Sequence, residues 1–600
     1  VLFRSAPIPP AQPLSALLAA HHHPLNTRCG GRGLCRACEV RLAAGSIRSL
    51  DTNETVHAPA TLKACRHTLD DPAPTPHSAS IEIPARALLR HKPSIVSNFR
   101  IKIPRSLDPL APPPASPGEP WLGAAVDLGT TTVALLLCDL RTGEILSTAT
   151  AFNAQVRHGE DVLTRVNLCA ADPRNVPLLQ SAAAGTIRQL LEKACASASA
   201  DPAHVRSLVV AGNTVMLHLL AGVDPSPIGV FPFTPPFLGH RRLAPAALGL
   251  SFGGNAPADA HLLPGPAAYV GADLSAGILV TGLLHDDGPA LLVDVGTNGE
   301  IILKHGPRLL GTATAAGPAF EGAGLAAGMS AVEGVIESIR FSRAPFTQKL
   351  SLIGGGPPGA TGANHNHHNN RPHNNPQHHH NHHHENNPHP HSNPHSPHNP
   401  HNNPHNLHNN PRPHNASVPA PAGICGSAYI DFLAEGRRAG LLNEHGRFAA
   451  PPPPGAESAF VTHDGARAFV LDPRGRSGPV LVTEPDIARL LQAKAAVAAG
   501  IVTLLDLAGL APADIRTLHL AGGFGLHLDL DNAIACGLLP GFGPEQIEVV
   551  GNTALGGALA VLQDRNLLPE IARACALMEN IELNLQPAFE NTYIDQLALP

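Results

Sequence analysis

The sequence contains few cysteines, few aromatic residues and no marked excess of charge of either sign. Ten cysteines in 600 residues are too sparse for the disulfide framework of a small secreted protein, which favours a reducing compartment. Aromatic residues make up only 4 % of the chain, and abundant alanine, glycine and proline instead predict tight turns and packing between small side chains. The 47 acidic and 41 basic residues nearly balance, so no overall field points to nucleic acid or an anionic membrane.

Signals for export and for a membrane span are also missing. No charged, apolar and small-residue signal peptide follows Val1. No uninterrupted apolar run approaches the ~18 residues of a spanning helix. We therefore expect a cytoplasmic protein without a membrane segment. A first residue other than methionine indicates that the N-terminus is truncated or that "VLFRS" is foreign sequence.

At 600 residues the chain exceeds a single hydrophobic core, and its composition suggests where it divides. A cysteine-bearing domain over 1–85 is followed by a proline-rich linker over 86–120. Strand patterns then indicate a middle domain over 121–255 and a C-terminal domain over 256–600. Residues 361–415 interrupt the last domain with asparagine, proline and half of the 36 histidines, and we expect them to form a disordered insert.

Four cysteines near the start have the spacing of metal ligands. Cys29, Cys35, Cys38 and Cys65 follow the pattern C-x5-C-x2-C-x26-C, and thiolates are soft ligands for iron or zinc. A zinc ribbon would pair two C-x2-C knuckles, whereas the glycines of "CGGRG" let the backbone wrap a bulky cluster. The stretch resembles a [2Fe–2S] ferredoxin β-grasp module, with five residues in the first spacing where the plant type has four. A zinc site and free thiols are the alternatives.

A strand–turn–strand motif occurs twice in the rest of the chain. The stretch "VDLGTTT" (126–132) returns 167 positions later as "VDVGTNGE" (293–300), each within a pattern of three antiparallel strands. Glycine turns present N–H groups to phosphates, threonine hydroxyls add donors, and a strand-end aspartate can hold Mg²⁺. The repeat therefore predicts two related lobes that grip a polyphosphate from both sides of a cleft. An ordinary turn with a strand-end aspartate is the alternative.

Further patterns occur later in the chain. "LHLAGGFG" (518–525) predicts an apolar strand and a Gly-Gly turn that could lie against an adenosine. Residues 483–510 predict a long helix that begins at a capping box of Thr483 and Asp486. "AGNTVM" (211–216) and "VGNTAL" (550–555) predict strand-to-helix junctions with threonine as the cap. Glu300 and Glu321 are candidates for positioning water.

Taken together, these motifs resemble those of the ATP-dependent reductive activators of corrinoid proteins. In that family a ferredoxin domain and a linker precede lobes of the acetate and sugar kinase, heat-shock chaperone and actin (ASKHA) superfamily. The resemblance covers about residues 25–360 and 416–595 and includes "YVGADLSAG", "TAAGPAFEGAGL" and "GICGSAYIDFL". It implies a multidomain α+β and α/β fold, in which a β-grasp [2Fe–2S] ferredoxin domain is followed by actin-like, ribonuclease H-like lobes.

The resemblance also implies an activity. This is ATP-dependent electron transfer from a [2Fe–2S] cluster to a Co(II) corrinoid protein, which regenerates Co(I) for methyl transfer. The implied cofactors are the cluster, ATP and Mg²⁺, and the implied partners are a corrinoid protein and a low-potential electron donor. Nucleic acid and membrane are not implied, and a homodimer is considered. The alternatives are an ASKHA-type activator of another low-potential metalloenzyme and a nucleotide-gated redox sensor or metal-binding protein.

The same resemblance assigns roles by position. The four cysteines named above would ligate the cluster, and Asp127 and Asp294 would organise Mg²⁺ and the attacking water. The residues that would contact the nucleotide are Gly129, Thr130, Thr131 and Thr132 in the first hairpin, Gly296, Thr297, Asn298 and Gly299 in the second, and Gly522, Gly523 and Gly525 in the third element.

Overall fold

The computed structural model describes residues 12–354 and 420–600, except 22, 24, 26–32, 34–37, 70–78, 85, 86, 88–97, 117, 160, 323 and 477. The predicted insert 361–415 lies outside the described residues, as do Cys29 and Cys35.

The described residues of the N-terminal region form one short helix and two small antiparallel sheets. Strand β1 alternates so that Val40 and Leu42 point into a small core, which also holds Leu14 and Leu18 of the helix. The sheet orders are β4-β1-β6 and β3-β2-β5. The elements are α1 (Leu14–Ala20), β1 (Glu39–Ala44), β2 (Ser46–Ser49), β3 (Thr55–His57), β4 (Ala60–Lys63), β5 (His67–Thr68) and β6 (Ser80–Glu82).

The next region forms a six-stranded mixed sheet with the order β11-β12-β10-β7-β8-β9. The three antiparallel strands predicted at its start are confirmed as β7, β8 and β9, and β10 returns parallel to β7. The elements are β7 (Leu122–Leu128), β8 (Thr132–Asp139), β9 (Ile145–Phe152), α2 (Val162–Ala171), α3 (Asn175–Ser197), β10 (Val205–Gly212), α4 (Thr214–Leu220), β11 (Arg241–Leu243), β12 (Asp259–Leu262) and α5 (Ala272–Thr281). Strand β12 lies beyond the expected domain boundary at residue 255 but belongs to this first sheet.

The last region repeats the design in a second sheet of order β22-β21-β13-β14-β15-β23. Strands β13 to β15 are antiparallel, and β21 and β22 then add in parallel beside β13. The elements are β13 (Ala290–Val295), β14 (Gly299–His305), β15 (Arg308–Thr314), β16 (Ile336–Arg343), β17 (Phe346–Leu352), α6 (Gly426–Arg438), β18 (Phe460–His463), β19 (Ala466–Asp472), β20 (Val480–Thr483), α7 (Glu484–Ala508), β21 (Thr517–Ala521), α8 (Leu530–Ala535), β22 (Ile547–Gly551), α9 (Thr553–Gln563), α10 (Leu567–Leu577), β23 (Met578–Asn580) and α11 (Phe589–Asp595).

The central strands are apolar because both faces of each sheet are covered. Every residue of β10 is buried, and β7 is buried except at Asp127. Helices α3 and α9 cover the first sheet, and α9 does so although it follows the second sheet in sequence. The duplicated strand order confirms the two related lobes that the repeat predicted.

Part of the proline-rich stretch 86–120 packs along the lobes. The N–H groups of Asp108 and Leu110 donate to Gln563 and Leu562 in α9, at 2.9 and 3.2 Å. The Ser106 N–H donates to an Asp564 carboxylate oxygen at 2.7 Å. These contacts fix residues 106–110 against the first lobe.

Helix α7 is the one described helix that is long and apolar enough to span a membrane, and 78 % of its apolar window is buried. Ile487, Leu490, Val497, Ile501 and Leu504 pack in the core of the second lobe. The predicted capping box is confirmed, since Thr483 Oγ1 accepts from the Asp486 N–H at 3.1 Å and the Asp486 carboxylate accepts from the Thr483 N–H at 3.0 Å.

We expect Thr483→Ala to lower the free energy of unfolding by about 1–2 kcal/mol, because the first turn of α7 loses its acceptor. Urea unfolding followed by circular dichroism measures this change. Gln492→Ala, on the exposed face of the same helix, is the control and should change stability by less than about 0.5 kcal/mol. Equal stability of the two variants would contradict the role of the cap.

Candidate functional site

Four carboxyl groups from the two lobes lie near one another at the strand ends. Asp127 is the penultimate residue of β7, and Asp294 stands in β13 directly opposite Glu300 of β14. Asp273 lies in the first turn of α5, where its side chain accepts the Leu274 N–H at 2.9 Å. The first two were predicted as site residues, and Glu300 as a candidate.

Burial sets the protonation of this group. Desolvation raises the pKa of Asp127 to about 6, against a hydrogen bond from Asn552 that lowers it. Desolvation, followed by the charges of Asp273 and Asp127, raises the pKa of Asp294 to about 7. Burial also raises the pKa of Asp273 to about 7 and that of Glu300 well above its usual range. A cation between these groups would favour their ionised forms.

No sequence pattern identifies Asp273 as a site residue. It lies in "YVGADLSAG", a stretch that contributes only to the family resemblance, and no spacing links residue 273 to 127 or 294. Its position follows from tertiary packing, because the start of α5 lies against the first lobe, where a side chain at Gly271 would come within 2.5 Å of Asn213 Cα.

The turn of the first hairpin requires glycine at position 129. A Cβ there would lie 2.5 Å from the Thr132 carbonyl oxygen. The Gly129 carbonyl accepts from Asn153 Nδ2 at 2.9 Å, and Thr130 Oγ1 accepts from Asn213 Nδ2 at 2.9 Å. The turn therefore has no room for a side chain at position 129, and two asparagine side chains from outside the hairpin hold its oxygen atoms in place.

Glu321 joins the two hairpins. One carboxylate oxygen accepts from Thr131 Oγ1 at 3.2 Å, and the other accepts from Thr297 Oγ1 at 2.8 Å. The two hydroxyl oxygens are 3.5 Å apart. The hydroxyls that were predicted to bind phosphate thus converge on a single anionic group.

The second hairpin is held by a backbone bond within its turn and by a side chain of β15. The Gly296 N–H donates to the Asn298 carbonyl at 2.9 Å, and the Gly299 carbonyl accepts from Thr314 Oγ1 at 2.9 Å. Asn298 lies in this turn between Thr297 and Gly299, and Thr132 begins β8 in the first hairpin.

The third element reaches the same place through β21, which pairs in parallel with β13. Gly522 has φ +91°, and a Cβ there would lie 2.6 Å from the Val295 carbonyl oxygen and 2.7 Å from Asp294 Oδ1. Gly523 is exposed with open space around it, whereas Gly525 is buried against Leu520. The structure thus brings Gly522 to the carboxyl cluster and places Gly525 in local packing.

Both Gly-Asn-Thr junctions begin helices, as predicted, but asparagine and not threonine is the cap. Asn213 accepts the Met216 N–H, and Asn552 accepts the Leu555 N–H. A second bond from each side chain enters the site, to Thr130 Oγ1 and to Asp127 Oδ2, each at 2.9 Å. Asparagine has both an acceptor for the helix and a donor for the site, which threonine cannot match in reach.

The carboxyl cluster formed by Asp127, Asp273, Asp294 and Glu300 suits a magnesium ion whose remaining ligands are phosphate oxygens and water. Among the described residues, no three His, Cys, Asp or Glu side chains lie close enough to enclose a metal by themselves. Mg²⁺ usually takes one or two carboxylates and completes its shell with phosphate oxygens and water. Asp127 and Asp294 fit that pattern.

The N-terminal region brings together the two described cysteines of the predicted cluster. Cys38 and Cys65 are both buried, and the Ala64 N–H donates to the Cys38 carbonyl at 3.1 Å. A hydrogen bond with Cys65 lowers the pKa of the Cys38 thiol to about 6, against the effect of burial. A thiol that ionises near neutrality is prepared for a metal, so this pair fits an iron–sulfur cluster.

Two lobes whose sheets share one order over five strands, and whose Asp-Xaa-Gly-Thr hairpins meet at Glu321, define an ASKHA-type protein. The family profile of the C-terminal domain of RACo, the ASKHA domain, matches residues 288–600, and that of the RACo middle region matches 122–286. The chain belongs to the RACo family.

Several characterised proteins are similar over most of the chain. A "Corrinoid activation enzyme RamQ" of Eubacterium limosum is 27 % identical, over 79 % of this chain and 70 % of its own length. A "[Co(II) methylated amine-specific corrinoid protein] reductase" of Methanosarcina barkeri is 23 % identical, over 79 % and 76 %. The solved structure of a "Reductive activator for corrinoid,iron-sulfur protein" superposes with a TM-score of 0.66 at 25 % identity, over 98 % of this chain and 96 % of that one.

We expect the wild-type chain, free of metal and nucleotide, to lose stability between pH 5 and pH 7.5. A carboxyl group whose pKa is raised by folding stabilises the fold while it is protonated, and this contribution is lost as the pH rises through about 7 for Asp294. Asp294→Asn should remove about 2 kcal/mol of that loss.

Urea unfolding at both pH values, with a chelator present, measures the difference. Asp506→Asn, at an exposed position of α7, is the matched control and should keep the wild-type pH dependence. A pH profile of Asp294→Asn parallel to that of wild type would show that Asp294 is not the group responsible.

Proposed function

We propose that this chain is an ATP-dependent reductive activase that donates one electron to the Co(II) of a corrinoid protein and so regenerates Co(I). The observation that carries the proposal is that hydroxyl groups from two hairpins in different lobes, those of Thr131 and Thr297, donate to one anionic group, the Glu321 carboxylate. Its relatives' names, corrinoid activation enzyme and corrinoid protein reductase, supply the substrate class.

The hairpins would hold the phosphates of ATP. Thr131 and Thr297 donate to a carboxylate in this structure, and a phosphate oxygen accepts the same two bonds. Glu321 would then be displaced from the hydroxyls and become available to orient water. Gly129, Thr130, Thr132, Gly296, Asn298 and Gly299 complete the two turns in this proposal.

Asp127 and Asp294 would hold Mg²⁺ with the phosphates, and Asn552 orients Asp127 by donating to its Oδ2. Gly522 lets the third element approach Asp294 closely, and Gly522 and Gly523 would flank the nucleoside, whereas the buried Gly525 would support the turn from within. Asp273 adds a further negative charge that would strengthen cation binding.

Cys38 and Cys65, with Cys29 and Cys35, would ligate a [2Fe–2S] cluster in a domain over residues 1–85. When bound, the cluster supplies the low-potential electron and ATP supplies the free energy that makes its transfer to Co(II) favourable. The hydrogen bond between Cys38 and Cys65 supports this assignment because it favours a thiolate inside a small apolar core. We place the protein in a reducing cytoplasm, with an unidentified donor that reduces the cluster.

The proposal is tested with purified chain under anaerobic conditions, MgATP, a chemical reductant and a Co(II) corrinoid protein. We expect visible spectra to record conversion to Co(I) only when ATP is present. Cys65→Ser should lose at least 90 % of this rate and of the cluster absorbance, while its ATP hydrolysis remains.

Cys575→Ser is the control, because Cys575 lies in α10 of the lobes, where it donates to the Pro264 carbonyl. It should keep the wild-type spectrum and rate. Reduction of Co(II) at equal rates with and without ATP would contradict an ATP-dependent activase.

The third element offers a matched pair of glycines for nucleotide binding. We expect Gly522→Ala to weaken MgATP binding at least tenfold, because the added Cβ would collide with the Val295 carbonyl and with Asp294. Gly523→Ala meets open space and should bind within about twofold of wild type. Isothermal titration calorimetry measures both, and equal affinities would contradict the approach of Gly522 to the site.

A further inference from the structure

Each of the three carbonyl groups in the turn of the first hairpin, residues 129–131, accepts a hydrogen bond from a residue outside that hairpin. The Gly129 carbonyl accepts from Asn153 Nδ2 at 2.9 Å, and the Thr131 carbonyl accepts from the Asn153 N–H at 2.8 Å. The Thr130 carbonyl between them accepts from Nη2 of Arg165 at 2.6 Å. Two residues of the first lobe thus hold three consecutive peptide groups.

The direction of these bonds determines where the amide groups of the turn point. In a trans peptide the C=O and the following N–H point in opposite directions. The N–H groups of Thr130, Thr131 and Thr132 therefore face away from Asn153 and Arg165. The Thr131 side chain, in the middle of this turn, reaches Glu321 and the second hairpin. We therefore infer that the N–H groups, on the side opposite to Arg165, face the cleft between the two hairpins.

Arg165 itself is fully buried in α2. It also donates to the Gly159 carbonyl, to Gln155 Oε1 and to Met216 Sδ, each at 2.9 Å. A planar guanidinium with several donors in a fixed arrangement can hold all these acceptors at once, which a lysine cannot. The Thr130–Thr131 peptide therefore has a rigid cation on its carbonyl side.

We propose that Arg165 is a positioning residue for the phosphate groups of the nucleotide, acting through the Thr130–Thr131 peptide. It fixes the orientation of that peptide, and its charge polarises the carbonyl so that the Thr131 N–H becomes a stronger donor to an anion. The inference rests on the proposed function, since it requires that phosphate binds at this hairpin.

Arg206 provides a comparison within the same lobe. It is also a buried arginine, on β10, and it donates to the Ala203 and Gly253 carbonyls at 2.9 and 2.8 Å and pairs with Glu119. None of these partners belongs to either hairpin. A general cost of disturbing a buried arginine should therefore be the same for both residues, whereas a phosphate-specific effect should appear only at Arg165.

The experiment measures the binding of MgATP, MgADP and adenosine to the full chain by calorimetry. Arg165→Gln is expected to raise the Kd for MgATP and MgADP at least tenfold and to leave that for adenosine, which has no phosphate, within about twofold. Arg165→Lys keeps the positive charge but not the planar set of donors, and its Kd for MgATP and MgADP should lie between those of the wild type and Arg165→Gln. Arg206→Gln should bind all three ligands as the wild type does.

The outcomes separate this inference from the proposed function. A wild-type chain that does not bind MgATP would overturn both. MgATP affinity of Arg165→Gln equal to that of Arg206→Gln, or equal losses for MgATP and adenosine, would overturn the role of Arg165 alone. Failure of both Arg165 variants to fold, with Arg206→Gln folded by circular dichroism, would also overturn it by assigning Arg165 to the stability of the lobe.

Discussion

The contact on which the site depends is the pair of hydrogen bonds from Thr131 and Thr297 to Glu321. The two hydroxyls come from different sheets, and a single carboxylate spans them. In the proposed function a phosphate would accept the same two bonds, because carboxylates and phosphates both offer anionic acceptor oxygens. The two hairpins approach each other closely at this point, since the two hydroxyl oxygens are 3.5 Å apart.

The second constraint is the burial of negative charge around that contact. Asp127, Asp273, Asp294 and Glu300 are desolvated together, and the charges of the three aspartates add to this by raising the pKa of other members of the group. Their like charges oppose ionisation of the group, and a bound cation would relieve that repulsion. In the proposed function, cation binding and the stability of the fold would therefore be coupled through the same side chains.

Much of the fold was predictable from sequence, because local patterns determine it. The repeated apolar strand, aspartate and glycine turn predicted both hairpins, and the capping box predicted the start of α7. The long helix followed from the periodicity of its apolar residues, and the two related lobes followed from the repeat of the strand–turn–strand motif. What sequence did not reveal was Asp273 as a member of the carboxyl cluster and the second bonds of Asn213 and Asn552. The two asparagine bonds join residues 83 and 425 positions apart, and no periodic pattern links Asp273 to the other carboxyl groups.

The sequence by itself determined which residues have the chemistry to bind a phosphate or a metal. These are the residues of the Asp-Xaa-Gly-Thr turns, the four spaced cysteines and the glycines that allow close backbone approach. These depend on local backbone geometry and side-chain chemistry, which neighbouring residues dictate. Only the tertiary structure decided which of them meet. It brought Gly522 against Asp294 but left Gly525 in local packing, and it placed Arg165 behind the first turn. The physical reason is that such contacts arise when separate sheets and helices bury their apolar faces against one another, and that packing is a property of the whole lobe.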